Sequence, residues 1–138
     1  IGREAASSLN HNFIAFHTPL ITSLKGPGEK MSKSVPCSGI AVTDSYEEIK
    51  KTINAAYCPA KESKENPILQ ITKLIIFPRT EKLKISRPEK FGGDKTFSNY
   101  EELEKDFVSG SLHPADLKTT VIENLEKIIA PIRKNFKL

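Results

Sequence analysis

Capping residues and prolines cut residues 45–138 into short helices and one hairpin, which limits this part of the chain to a helical domain with little sheet. Ser45 with Glu48 three residues on is a capping box, in which side chain and backbone satisfy each other at a helix start. Tyr46, Ile49, Ile53 and Tyr57 follow at helical spacing and Pro59 stops the run, predicting a helix over about 46–57. Asn66-Pro67 pairs an N-cap with proline at the first helical position. Ile68, Ile71, Leu74 and Ile75 give that second helix an apolar face, and Pro78 is expected to end it. Lys82-Leu83-Lys84-Ile85 alternates at period two, a half-buried strand. Residues 87–94 form a turn containing Gly92-Gly93, and Lys95-Thr96-Phe97 returns as the second strand of a hairpin. Ser98 with Glu101 reads as another capping box, opening a helix at about 99–108 that ends at Gly110. His113-Pro114 starts the last helix, whose seam is Leu117, Val121, Leu125, Ile128 and Ile132. Pro131 lies inside that seam and is expected to kink or end it.

The first part is organised differently. Residues 1–9 suit the last turns of a helix, and Asn12-Phe13-Ile14-Ala15-Phe16 reads as a buried strand without neighbours in the first forty residues. Residues 18–36 form a long polar loop, and Gly39-Ile40-Ala41-Val42 a short extended piece after it. Long loops in compact domains tend to be functional. The chain begins at Ile1 and its one methionine is Met31, which leads us to expect a piece of a longer protein whose sheet continues elsewhere.

Composition excludes several classes. No apolar run approaches the roughly 20 residues of a membrane helix. No basic region precedes an apolar stretch at the N-terminus, so no signal peptide is expected. Cys37 and Cys58, far apart, cannot make a disulfide scaffold or a four-cysteine zinc site, and a reducing cytoplasmic home is expected. The net charge of +4 permits a polyanion partner without requiring one. From Arg79 to Lys95 six cations face three acids, a local charge of +3 on a short hairpin.

The loop carries the clearest chemistry. Gly26-Pro27-Gly28-Glu29-Lys30-Met31-Ser32-Lys33-Ser34 sets two lysines three residues apart among small hydroxyls, with glycines before them. Such a loop can bring two cations and several donors onto a polyphosphate, as phosphoryl or nucleotidyl transfer requires. Composition alone favours a solvated loop with no task, since lysine-rich loops are common.

The whole string decides more. Lys30-Met31-Ser32-Lys33-Ser34 is similar to one of the two signatures of class I aminoacyl-tRNA synthetases. The approach His17-Thr18-Pro19-Leu20-Ile21 with Leu24 resembles the tyrosyl-tRNA synthetases of the archaeal and eukaryotic branch. So do Ala56-Tyr57-Cys58-Pro59-Ala60, Arg87-Pro88-Glu89-Lys90-Phe91-Gly92-Gly93-Asp94 and Tyr100-Glu101-Glu102-Leu103-Glu104. His113-Pro114-Ala115-Asp116-Leu117-Lys118 and Pro131-Ile132-Arg133 complete a likeness that runs in order over about 13–138. The resemblance implies the C-terminal half of such an enzyme. The fold would be an α/β remnant of a Rossmann-type catalytic domain over 1–38, then a mostly α-helical anticodon-binding domain with a small β-hairpin over 39–138.

It also implies roles. Lys30, Met31, Ser32, Lys33 and Ser34 would hold ATP, brought with Mg2+ as substrate and not with a protein-ligated metal. Lys30 and Lys33 would be the catalytic charges. Many members of this branch have serine where this chain has Lys33; as the central charge of the loop, Lys33 is expected to dominate. Phe91 would stack on the first anticodon base, Asp116 would hydrogen-bond it, His113 would lie beside it, and Pro88 would wall the pocket. The residue types suit this. An aromatic stacks on a base, and a carboxylate accepts both N–H donors of guanine. Taken singly, Asp116 also suits the positive end of a helix dipole, Phe91 a core contact and His113 an N-cap. His17 and Cys37 are assigned no role.

The partners implied are tRNA-Tyr, ATP and tyrosine, with a homodimer formed through the half before Ile1. The family's other signature, a HIGH-type string, and a tyrosine pocket are absent from these residues, so this chain alone is expected to be inactive. The competing reading is a non-catalytic tRNA- or RNA-binding paralogue or a regulatory fragment. The intact signature disfavours it, because a non-enzyme has no use for a pyrophosphate loop.

Overall fold

The computed structural model describes residues 18–29, 31–32 and 34–135. The expected helix over 1–9 and strand at 12–16 lie outside the described residues. Helix α1, Tyr46–Ala55, begins with the predicted capping box: Ser45 N–H donates to Glu48 Oε2 at 2.7 Å and Glu48 N–H to Ser45 Oγ at 3.3 Å. Ile49, Thr52 and Ile53 are buried. The helix stops two residues earlier than expected, and Tyr46 stays exposed. Ala56 turns extended, which frees Tyr57 N–H to donate to the Leu24 carbonyl at 2.7 Å.

Helix α2, Pro67–Ile71, is capped by Asn66, whose Oδ1 accepts from Ile68 and Leu69 N–H. It continues as a π turn over Thr72–Ile76 and a 3-10 turn over Phe77–Arg79. The wider π turn rotates the buried face. Ile76 is buried where Leu74 and Ile75 were expected, and both of those are half-buried. Pro78 sits inside the 3-10 turn, and the run ends one residue later, since proline offers no N–H to extend the ladder.

Strands β1, Leu83–Ile85, and β2, Lys95–Phe97, form the predicted antiparallel hairpin in the register Leu83↔Phe97, Lys84↔Thr96, Ile85↔Lys95. Leu83, Ile85 and Phe97 point into the core. Helix α3, Tyr100–Ser109, is capped one residue later than expected. Asn99 Oδ1, not Ser98, accepts from Glu102 N–H at 2.9 Å, while Glu102, not Glu101, reaches back to Ser98 N–H at 3.1 Å. Asn competes with Ser for this position, and the shifted frame buries Leu103 and Phe107.

Helix α4, Pro114–Asn135, is the central rod. It packs along α1 and against α2 and β1. Leu117, Val121 and Leu125 are buried as expected, but Ile129 takes the place of Ile128, and Ile132 is 44% exposed. A straight helix drifts about 20° per heptad, which carries the later positions off the seam. Pro131 does not end the helix, which runs on to Asn135. Gly39–Val42 is irregular rather than extended. Ala41 N–H donates to Asp44 Oδ2, and Asp44 N–H to the Ala41 carbonyl, a local turn that replaces strand pairing. Leu24, from the polar loop, is 1% exposed in the same core. No helix among the described residues is long and apolar enough to cross a membrane.

Candidate nucleotide loop and nucleic-acid interface

The loop has anchors that its composition does not reveal. Thr22 and Gln70 exchange hydrogen bonds, Thr22 N–H to Oε1 at 2.7 Å and Nε2 to Thr22 Oγ1 at 3.0 Å. Leu24 N–H donates to the Ser38 carbonyl at 3.0 Å. Gly26 takes φ +113°, and a Cβ there would stand 3.1 Å from the Tyr57 ring, so the turn needs glycine twice over. Buried Leu24 and Ser38 thus fasten the base of the loop from either side, and their spacing follows no simple period.

Lys30 and Lys33 lie outside the described residues. Of the remaining signature, Met31 is 45% exposed and its side chain covers Gly39, where a Cβ would be 3.0 Å from Met31 Cγ. Ser38 grips Ser32 from both sides. Its Oγ donates to the Ser32 carbonyl at 2.7 Å and accepts from Ser32 N–H at 3.0 Å. The hydroxyls of Ser32 and Ser34 share a hydrogen bond of 2.8 Å at the surface. An open cleft of about 680 Å³ lies between this segment and α1, bounded by Met31, Ser32, Ser38, Asp44, Glu48 and Thr52. The Ser32 hydroxyl borders this cleft and the Ser34 hydroxyl is exposed beside it, so both can turn toward an anion without disturbing the core.

The hairpin turn is built around Arg87. Its N–H donates to Asp94 Oδ1 at 3.1 Å, Nε to the Gly93 carbonyl at 3.0 Å and Nη1 to the Ser111 carbonyl at 2.6 Å. Lys84 lies 2.7 Å from Asp94, and its hydrogen bond, with that of Arg87 N–H, holds the Asp94 carboxyl below its usual range. Exposed Pro88 leads into a 3-10 turn, Glu89–Phe91, and Gly92 and Gly93 follow at positive φ. Phe91 is 61% exposed rather than folded onto the core, with Lys90 Nζ 4.9 Å from its ring centre.

His113 is the N-cap of α4. Its Nδ1 accepts from Ala115 N–H at 3.1 Å, which leaves Nε2 to face solvent. Asp116 is half-buried in the first turn and has no ion pair or hydrogen bond among the described residues. The Arg87–Ser111 bond ties the turn carrying Pro88 and Phe91 to the segment two residues before His113. Phe91 and Asp116 share no hydrogen bond or ring contact. Arg87 and Ser38 received no role from sequence reading, because their bonds span 24 and 6 residues with no periodic signal. No group of three or more potential metal ligands gathers among the described residues.

Residues 1–130 match the family described as tRNA synthetases class I (W and Y). The chain is 41% identical to the tyrosine–tRNA ligase of Aeropyrum pernix, over 96% of this chain and 41% of that protein. It is also 41% identical to that of Saccharolobus solfataricus, over 99% of this chain and 42% of that protein. The chain thus spans about two fifths of the length of the curated relatives it matches. Among solved structures it is similar to the Archaeoglobus fulgidus tyrosyl-tRNA synthetase complexed with L-tyrosine. There the TM-score is 0.87 and the identity 43%, covering 96% of this chain and 41% of that one. For the A. pernix enzyme the TM-score is 0.80 with 42% identity, covering 95% and 38%. By the family match and by the identity to its archaeal tyrosyl relatives over nearly the whole chain, the chain belongs to the class I tRNA synthetase family of the tryptophanyl and tyrosyl enzymes.

Proposed function

We propose that this chain is the C-terminal part of a tyrosine–tRNA ligase, contributing the phosphate loop and the anticodon-recognition domain. One observation carries the reading: a Lys-Met-Ser-Lys-Ser string rides on a loop fastened by Ser38, in a chain 41% identical to such ligases. In the proposed reaction the tyrosine carboxylate attacks the α-phosphate of ATP, and pyrophosphate leaves. Lys30 and Lys33 supply positive charge where the leaving group becomes more negative, and the hydroxyls of Ser32 and Ser34 offer donors. ATP arrives with Mg2+ as substrate. In the second half of the reading, Phe91 gives a stacking face to the first anticodon base of tRNA-Tyr. Asp116 accepts its N–H donors, and Pro88 and His113 border the pocket. The homodimer contact and the tyrosine pocket belong to the part of the enzyme outside this chain.

The test uses the full-length protein. Tyrosine-dependent ATP–pyrophosphate exchange and charging of tRNA-Tyr are the expected activities, with tryptophan inert. RNA binding without any exchange would instead identify a non-catalytic paralogue and overturn the reading.

A further inference from the structure

Lys118 lies two residues beyond Asp116 on α4, yet its ammonium reaches another helix. Nζ donates to the Asn54 carbonyl at 2.9 Å and to the Ala56 carbonyl at 2.7 Å. These carbonyls stand at the C-terminal end of α1, where such groups have no partner within the helix. The last turn of α1 contains no basic residue of its own. Lys118 therefore supplies, from α4, the cation that the negative end of the α1 dipole favours.

The next residue carries the contact onward. Tyr57 N–H donates to the Leu24 carbonyl at 2.7 Å, and Leu24 N–H to the Ser38 carbonyl at 3.0 Å. Ser38 then holds both the carbonyl and the N–H of Ser32 within the signature string. Leu24 and Ser38 are each 1% exposed, so this part of the chain of bonds is closed to water. Packed groups of this kind shift together rather than deform singly.

We propose that Lys118 is a positioning residue that couples the first turn of α4 to the Lys-Met-Ser-Lys-Ser loop. RNA held at Asp116 thereby biases the loop geometry used in tyrosine activation. The inference rests on the function proposed above. A displacement of the α4 first turn moves the ammonium; the ammonium holds the end of α1, and Tyr57, two residues past α1, holds the loop base.

The experiment is a double-mutant cycle in the full-length protein, using Lys118→Met and Ser38→Ala and reading tyrosine-dependent ATP–pyrophosphate exchange. Each substitution is expected to slow exchange by about 2- to 30-fold, the range such couplings span, with KM for tyrosine unchanged. The double variant should be no slower than the slower single one. Losses that multiply, as they do for independent sites, would overturn the proposal. So would a wild-type rate in Lys118→Met, or an equal loss in Lys127→Met on the exposed side of α4. If Lys118→Met does not fold, hydrogen exchange on the wild-type enzyme decides. The amides of Leu24, Ser32 and Tyr57 should exchange more slowly when an RNA hairpin bearing the tyrosine anticodon binds. Unchanged exchange with that RNA bound overturns the coupling. Absence of tyrosine-dependent exchange in the wild type would instead defeat the functional reading itself.

Discussion

Asp116 and Phe91 show how residue type and setting combine. A half-buried carboxylate without an ion partner among the described residues keeps its acceptors available, and an aromatic 61% exposed at a clamped turn keeps its face available. In the full-length enzyme Asp116→Ala should lose about 1–3 kcal/mol of discrimination for the first anticodon base while tyrosine activation measured without tRNA proceeds normally. Charging of tRNA-Tyr against anticodon variants measures this, and unchanged selectivity would remove Asp116 from the pocket. The loop lysines act on a different step. Lys33→Ala should lower kcat for adenylate formation by about 10²–10³ with little change in tyrosine KM, because its charge matters most as pyrophosphate departs. Single-turnover adenylate formation gives that rate directly; a normal rate would shift the role to Lys30.

Among the elements, α1 depends on its cap. The Ser45 N–H and hydroxyl both donate to the Glu48 carboxylate, which holds its pKa below the ordinary 4.5. A carboxyl depressed on folding contributes stability above its unfolded value and loses it as pH falls through the folded one. Asp94, depressed from 3.8 by Lys84 and Arg87 N–H, adds a second loss of the same sign at the hairpin. The thermal midpoint should therefore drop when pH is lowered from about 6 to about 3. Glu48→Gln should start from a lower midpoint at neutral pH and show a smaller drop, since its amide cannot be protonated there. An equal drop in both proteins would place the acid sensitivity elsewhere. Capping chemistry also explains what could be read at this scale. Ser45 and Asn66 each cap as their sequence signatures imply, whereas Asn99 outcompetes Ser98 because both can accept and only the fold selects the frame that buries Leu103 and Phe107.

At the scale of the molecule, α4 joins the two proposed sites. Its N-terminus carries His113 and Asp116 near the Arg87-latched hairpin, and Lys118 ties it to α1 beside the loop. The local charge of +3 from Arg79 to Lys95 adds a favourable field for an RNA backbone. The 138-residue chain alone should bind an RNA hairpin bearing the tyrosine anticodon, more weakly as salt rises, and give no tyrosine-dependent ATP–pyrophosphate exchange. Filter binding across a salt series and an exchange assay on the same preparation measure both; exchange by the chain alone would show that it holds a complete active site.

Local signals by themselves determined the helix starts at Ser45 and Asn66, the hairpin on either side of Gly92-Gly93, and the string that marks the family, because each is written in adjacent or periodically spaced residues. The tertiary structure alone decided that Ile76 and Ile129 enter the core in place of Ile75 and Ile128, where a π turn and helical drift rotate the faces. It alone decided, too, that a polar loop has a buried base. The bonds from Leu24 to Ser38 and Tyr57, from Thr22 to Gln70, from Arg87 to Ser111 and from Lys118 to Ala56 join residues far apart in the chain. Such partners satisfy one another only after packing has brought them together, so no pattern along the sequence announces them.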